Sequence, residues 1–361
     1  MNTIKNNFYQ DHKLFDIIHW GENLLVSNGF RNVRQEIEWM LCDLLKIDRS
    51  DIYLKINSKI SKRNFSKLKE WIDQRIKNKP LQYITGKTEF YGHQISVSPD
   101  VLIPRPETER LVDIAIDTIK NLSKPKILEV GTGSGCISIA LGSAKKDANI
   151  LSLDVSDSAL EIAKINTKKN NISNIKFLKL DFLESIPKGQ YDLIISNPPY
   201  ISKNEMKEIM LDVKEFEPKI ALTDNNDGLE FYRRFCDISN QLMNRKSFMI
   251  LEVGLGQHPL KVHNIFSLAG FNKLGATAGL SMVRNTPVSD QSPKPIISFP
   301  IVKAKNNCPS NGIEFSSISP KLLIASPVVL KAVRRKASTL ARDIFLIPAI
   351  PVSKLIRTSS V

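Results

Sequence analysis

The sequence predicts an α/β protein, a mainly parallel, doubly wound sheet preceded by a small helical bundle. Three observations carry this. Apolar runs of strand length alternate with amphipathic helical stretches between residues 126 and 253, the pattern of parallel strands joined by crossover helices. The first 78 residues show helical periodicity throughout. A glycine-rich turn at 131–135 lies directly between an apolar strand and a helix, the place where open α/β sheets receive ligands.

With 361 residues the chain has room for two or three domains. Its 42% hydrophobic and 24% charged residues exclude a wholly disordered chain, a collagen-like repeat and a disulfide scaffold. No stretch approaches the ~20 apolar residues that cross a bilayer. The start, Met1 to Asn7, lacks the apolar core of a signal peptide, so a cytoplasmic location and no membrane partner are expected. Cys42, Cys136, Cys236 and Cys308 are far apart, with no Cys-x-x-Cys pair, and read as reduced thiols. The five histidines show no ligand spacing, so no metal site is expected. A net charge of +14 favours acidic partners such as RNA or the ribosome. Residues 285–361 alone hold 11 Lys and Arg against 3 Asp and Glu, which leaves the body a surplus of only 6.

Taken in order, Leu14, Ile17, Ile18, Leu24 and Leu25 share one helical face, and Val33, Ile37, Met40, Leu41, Leu44 and Leu45 another. Phe65, Leu68, Ile72 and Ile76 follow Ser61, an expected N-cap. Three or four such helices bury their stripes only against each other, so residues 1–78 form a bundle, either a scaffold or a docking module. Residues 79–109, punctuated by Pro80, Gly86, Gly92, Pro99, Pro104 and Pro106, read as a linker with a hairpin rather than helix. Residues 110–284 make the sheet domain, with strands at 126–130, 149–154, 175–180, 191–195 and 247–253. Its helices are one running to Ala144, one capped by Ser156 and one from Gly228 to Met243. Residues 285–361 hold nine of the 19 prolines and no Tyr or Trp, and are expected to be a disordered tail.

Two motifs carry the chemistry. In Glu129-Val130-Gly131-Thr132-Gly133-Ser134-Gly135, glycines allow a tight turn and a close approach of backbone to ligand, and helix N–H groups face the ligand. Asp154 ends the next strand, within reach of the ribose hydroxyls of a nucleoside. A glycine turn alone can be a mere turn, and Asp154 alone a helix N-terminal acid. Together, after consecutive strands, they point to an adenosine-containing cofactor. Gly-x-Gly-x-Gly differs from the dinucleotide spacing and resembles the S-adenosylmethionine loop of class I methyltransferases, with Glu129 as its acidic residue.

The second motif, Asn197-Pro198-Pro199-Tyr200, follows the apolar strand Tyr191–Ser196 at its carboxyl end. Consecutive prolines fix the backbone. An Asn side-chain oxygen and the rigid Pro198 carbonyl can together accept both hydrogens of a planar –NH2 group, and Tyr200 can pack on the flat group that carries it. This arrangement suits methylation of an amide or exocyclic amine nitrogen; the bland alternative is a Pro-Pro turn.

Further segments resemble the HemK/PrmC family of peptide chain release factor N(5)-glutamine methyltransferases. They are Arg34-Gln35-Glu36-Ile37-Glu38, Pro80-Leu81-Gln82-Tyr83-Ile84-Thr85-Gly86, Glu89-Phe90-Tyr91-Gly92 and, most diagnostic, Val101 to Glu109 (Val-Leu-Ile-Pro-Arg-Pro-Glu-Thr-Glu). Glu217-Pro218, Ala221-Leu222, Asp227-Gly228-Leu229 and Leu251-Glu252-Val253-Gly254 with Gln257 complete the match. The resemblance implies a class I, Rossmann-like, S-adenosylmethionine-dependent methyltransferase domain at 110–284 and release-factor docking by the bundle. It implies cofactor contacts from Gly131, Thr132, Gly133, Ser134, Gly135, Asp154 and Asn197. Phe182 matches the position beside the adenine, with ordinary core packing as its alternative. Asn197, Pro198, Pro199 and Tyr200 match the positions that bind the glutamine of the Gly-Gly-Gln motif of class I release factors, with Asn197 and Pro198 as the catalytic pair.

One region departs from the pattern. The family closes with a short strand bearing an Asp and an Arg; Gly275 to Asn285 matches that ending poorly, which leaves the final edge hairpin unsupported. Two rival functions share these features. One is an adenine amino-methyltransferase acting on nucleic acid, which can use a similar Asn-Pro-Pro-Tyr. The other is an inactive binding module of the same fold. The small charge surplus of the body and the Leu102–Glu109 stretch argue against the first, and no direct DNA binding is expected. The intact Asn197 and glycine turn argue against the second.

Overall fold

A computed structural model describes residues 13–268, 271–277 and 280–284; the tail expected at 285–361 lies outside the described residues. Helices α1 (Leu14–Ser27), α2 (Arg34–Leu45), α3 (Arg49–Leu54) and α4 (Lys62–Ile76) build the amino-terminal bundle. Ile17, Ile18, Leu25, Ile37, Leu41, Leu68 and Ile72 of their apolar stripes are buried in one cluster. Ser61 caps α4, its hydroxyl accepting the Asn64 N–H at 3.2 Å. Glu38 is buried among the apolar side chains. Burial pushes its pKa up, but hydrogen bonds from Tyr53 (2.6 Å), Arg49 (2.7 Å) and Arg34 (3.0 Å) outweigh it, and the net direction is down.

The punctuated run after residue 78 predicts no helix, yet Leu81–Thr85 form a short one, α5. It buries Leu81 and Ile84 in the bundle cluster and Tyr83 in a cluster of the sheet domain, so tertiary burial overrides the local breakers. The expected hairpin follows, β1 (Lys87–Phe90) antiparallel to β2 (His93–Ser96). A 3-10 turn at Pro106–Thr108 leads into α6 (Glu109–Ile119).

Strands and helices then alternate: β3 (Lys126–Val130), α7 (Cys136–Ala144), β4 (Asn149–Asp154), α8 (Asp157–Lys169), β5 (Ile175–Lys179) and β6 (Tyr191–Ser196). Two short helices, α9 (Leu211–Phe216) and α10 (Lys219–Leu222), precede α11 (Glu230–Leu242), β7 (Met243–Glu252), α12 (His258–Leu268), β8 (Asn272–Thr277) and β9 (Leu280–Arg284). The sheet order is β5-β4-β3-β6-β7-β9-β8, parallel from β5 to β7, with β9 antiparallel to both its neighbours. The closing hairpin therefore forms despite the poor match of its sequence.

β7 also starts earlier than the apolar pattern suggests. Tyr191 pairs with Met243 and Leu193 with Phe248, so residues 244–247 bulge out. The Ser247 hydroxyl pins the bulge by donating to the Tyr191 carbonyl at 2.6 Å.

Side-chain alternation builds two cores. Leu193 and Ile195 of β6 pack with Leu111 of α6 and Ile139 of α7 on one face; Ile194 packs with Tyr232 and Phe235 of α11 and Phe266 of α12 on the other. The chain runs outward from β3 to β5, then returns to β6 on the opposite side of β3. The topological switch point thus lies between β3 and β6, and the crevice at their carboxyl ends is the expected ligand site.

Candidate active site

Four adjacent strands present polar residues along this one edge: Asp154 at the end of β4, the glycine turn after β3, Asn197 after β6 and Glu252 closing β7. Gly131, Thr132, Gly133, Ser134, Asp154, Phe182, Asn197, Pro198 and Pro199 line a single cleft there. Gly135 and Tyr200 do not. Tyr200 lines an adjoining groove with Glu252 and His258.

The three glycines have φ of +73°, +52° and +80°, backbone that favours glycine. A Cβ at Gly131 or Gly133 would stand in open space, whereas one at Gly135 would meet Ala163 Cβ of α8 at 3.1 Å. The motif therefore does two different things: its first two glycines leave room in the cleft, and its third lets α7 start against α8. The turn is held to β4 by the Gly131 and Thr132 N–H groups, both donating to the Leu153 carbonyl at 2.9 Å. Thr132 turns its hydroxyl inward to Glu129 at 2.7 Å, and Ser138 donates to the same carboxylate. Burial raises the Glu129 pKa to about 6 against those hydrogen bonds, so Glu129 braces the turn from beneath.

Asp154 is fixed by the Gly133 N–H at 2.9 Å and the Ser156 N–H at 3.0 Å, one to each carboxylate oxygen. Burial raises its pKa, with the Ser156 and Gly133 bonds opposing. Each oxygen retains capacity to accept from one hydroxyl of a diol. Phe182 serves as core and cleft wall together, its ring centroid 4.6 Å from that of Phe235. Cys136 also lines the cleft, but burial pushes its thiol up to about 12, so it stays protonated.

Asn197 donates through Nδ2 to Thr108 Oγ1 at 3.3 Å, and Thr108 Oγ1 donates to Glu252 Oε2 at 2.8 Å. Tyr232 Oη donates to the Glu252 carbonyl at 2.7 Å. His258 accepts the Gly254 N–H on Nδ1 and bonds the Gly228 carbonyl through Nε2, 3.1 and 3.0 Å away. It thereby ties the end of β7 to the start of α11. Arg105 pairs with the buried Glu217, joining the stretch before α6 to the segment that follows Tyr200. Among the described residues no group of three or more His, Cys, Asp or Glu could hold a metal ion. No described helix is long and apolar enough to cross a membrane.

Comparison with known proteins gives this geometry a family. Residues 16–86 match the PrmC N-terminal domain and residues 111–215 the methyltransferase small domain. The chain is 35% identical over 255 residues to a release factor glutamine methyltransferase of Fusobacterium nucleatum, covering 70% of this chain and 72% of that protein. It is 34% identical over 269 residues to the protein of that name from Thermodesulfovibrio yellowstonii, covering 74% and 96%. A third, from Clostridium acetobutylicum, is 35% identical over 262 residues, covering 72% and 92%. The chain belongs to the release factor glutamine methyltransferase family.

Its cofactor is accordingly S-adenosylmethionine, and the residues at the cleft fit that molecule. The open space over Gly131 and Gly133 admits a ligand against the backbone, and Asp154 offers a tethered carboxylate for a diol. What sequence reasoning left without a role is the support: Thr108, Glu252, Arg105, Glu217 and His258. One signal for Glu252 was present, an acid closing an otherwise apolar strand at the sheet edge that also carries Asn197. Thr108 lies inside the diagnostic 101–109 stretch, but its role was not legible there because its partners are distant in sequence.

Proposed function

We propose that this protein transfers the methyl group of S-adenosylmethionine to the side-chain amide nitrogen of the glutamine in the Gly-Gly-Gln motif of class I release factors. The observation that carries the proposal is the placement of Asn197, Pro198 and Pro199 in the same cleft as the glycine turn. Gly131, Thr132, Gly133, Ser134 and Asp154 hold the cofactor while Gly135 seats α7 against α8, Phe182 lies beside its adenine, and Tyr200 backs the Asn-Pro-Pro wall. The cofactor supplies an electrophilic methyl carbon. An amide nitrogen is a poor nucleophile because its lone pair is delocalised into the carbonyl, so this chain contributes positioning. Asn197 Oδ1 and the Pro198 carbonyl accept the two amide hydrogens, aim the nitrogen and favour its loss of planarity. The helical bundle docks the release factor, in the cytoplasm, without direct DNA contact. The shared name of the relatives favours glutamine over adenine as the acceptor.

The test is Asn197→Ala, assayed with labelled methyl donor and a release factor bearing Gly-Gly-Gln. Losing one positioned polar contact at a reacting centre lowers turnover roughly a hundredfold or more. Affinity for S-adenosylhomocysteine should change less than turnover, because the glycine turn and Asp154 are untouched. Near-normal turnover would refute the assignment of Asn197.

A further inference from the structure

We propose that Thr108 and Glu252 are positioning residues that fix which end of the Asn197 amide faces the substrate. The inference rests on the function proposed above and deepens it. A side-chain amide has two orientations of nearly equal shape, with opposite hydrogen-bonding character. Only one presents Oδ1 to the cleft, where it can accept a hydrogen from a substrate –NH2; the other presents a second donor to a donor.

The structure resolves this choice by a chain of obligations that starts at a carboxylate. Glu252 closes β7, and in the parallel pairing Leu251 stands opposite Ser196, so Glu252 and Asn197 follow side by side at the sheet edge. Burial raises the Glu252 pKa, and hydrogen bonds from Thr108 and Tyr200 oppose it; in its ionised form the carboxylate only accepts. Thr108 therefore commits its single hydroxyl proton to Glu252 Oε2, 2.8 Å away. Toward Asn197 its oxygen can then only accept, and the atom 3.3 Å away must be the amide nitrogen. Oδ1 is left for the cleft. Thr108 is 2% and Glu252 7% exposed, so bulk water does not substitute for either partner. Donor counting thus assigns the amide nitrogen to Thr108 and the oxygen to the cleft.

The relay is itself anchored. Tyr232 holds the Glu252 backbone through the 2.7 Å bond to its carbonyl. Thr108 ends the 3-10 turn Pro106–Thr108, which begins beside the Arg105–Glu217 pair. A residue far from β6 in sequence thus sets the rotamer at the end of β6.

The experiment compares the full-length protein with its Thr108→Val, Thr108→Ser, Glu252→Gln and Asn197→Ala variants on a release factor, measuring kcat, KM and S-adenosylhomocysteine affinity. Valine keeps the shape and removes the hydroxyl. We expect Thr108→Val to lower kcat by at least about tenfold, less than loss of a direct contact, with KM and cofactor affinity within about threefold. Thr108→Ser should recover kcat to within about threefold of wild type. Glu252→Gln, whose amide can donate as well as accept, should lower kcat in the same manner while the fold is retained. Wild-type kcat in both Thr108→Val and Glu252→Gln would overturn the inference, and so would a serine variant as impaired as the valine one. If Asn197→Ala is itself fully active, the proposed function fails first. If it is inactive while Thr108→Val is not, only the relay fails.

Discussion

Alanine at Gly133 and at Gly135 should have different consequences, although the two glycines belong to one motif. Both have positive φ, +52° and +80°, so alanine at either pays for a left-handed conformation, roughly 1–2 kcal/mol. At Gly135 the new Cβ also meets Ala163 Cβ at 3.1 Å and Ala163 Cα at 3.2 Å. Part of α8 would have to shift, and overpacking of this kind costs roughly 1–3 kcal/mol. The Gly135→Ala total is then roughly 2–5 kcal/mol, or a Tm lowered by roughly 4–20 °C for a domain of this size. At Gly133 the Cβ meets nothing, so Tm should fall by only roughly 2–8 °C. That open space is, however, where the cofactor approaches the backbone.

Calorimetric titration with S-adenosylhomocysteine, at a temperature where both variants are folded, separates the two effects. Gly133→Ala should lose at least about tenfold in affinity, equivalent to ~1.4 kcal/mol. Gly135→Ala should bind within about threefold of wild type. The reasoning is refuted if Gly135→Ala is no less stable than Gly133→Ala, or if Gly133→Ala binds like wild type.

Glu38→Gln should destabilise the bundle by roughly 1.5–3 kcal/mol, since Arg34, Arg49 and Tyr53 lose a charged acceptor. The folded pKa of Glu38 lies below its ordinary value, so the stability it contributes is present above the unfolded pKa of about 4.3 and lost as pH falls through the folded one. Chemical unfolding across that range should show a wild-type loss that Glu38→Gln lacks. Arg105→Ala leaves Glu217 buried with no cation, one of its oxygens already lacking a hydrogen-bond partner. Because Arg105 is partly exposed, the cost at pH 8 is set at roughly 1–3 kcal/mol rather than the full figure for a buried pair. Burial already raises the Glu217 pKa against Arg105, and losing Arg105 raises it further. A raised carboxyl loses its stabilising contribution as pH rises through the folded pKa, so the defect should be smaller at pH 5 than at pH 8, protonation of Glu217 being more complete there. A defect of equal size at both pH values would show that Glu217 does not titrate there.

Where sequence and structure agree, the signal was local. Strands β3 and β4 end where their apolar runs end, at Val130 and Asp154, and Ser61 and Ser156 cap the helices they precede. Period and capping are written in consecutive residues, so they can be read without the fold. Where the two differ, the deciding partner lies elsewhere in the chain. Leu81–Thr85 become helical because two separate cores bury their side chains; β7 extends back to Met243 because Ser247 reaches Tyr191. The closing hairpin forms on backbone pairing with β7, which a family pattern in side chains does not report. The same division runs through the candidate site. Residues expected to touch a ligand sit at strand ends, a position the sequence announces, but the groups that orient them are joined across 144 residues in the bond between Thr108 and Glu252. An acceptor at Asn197 is readable from Asn-Pro-Pro-Tyr; the reason it is the oxygen and not the nitrogen that faces the cleft is not. That reason is a proton count, and it exists only once β6, β7 and the turn before α6 have been brought together.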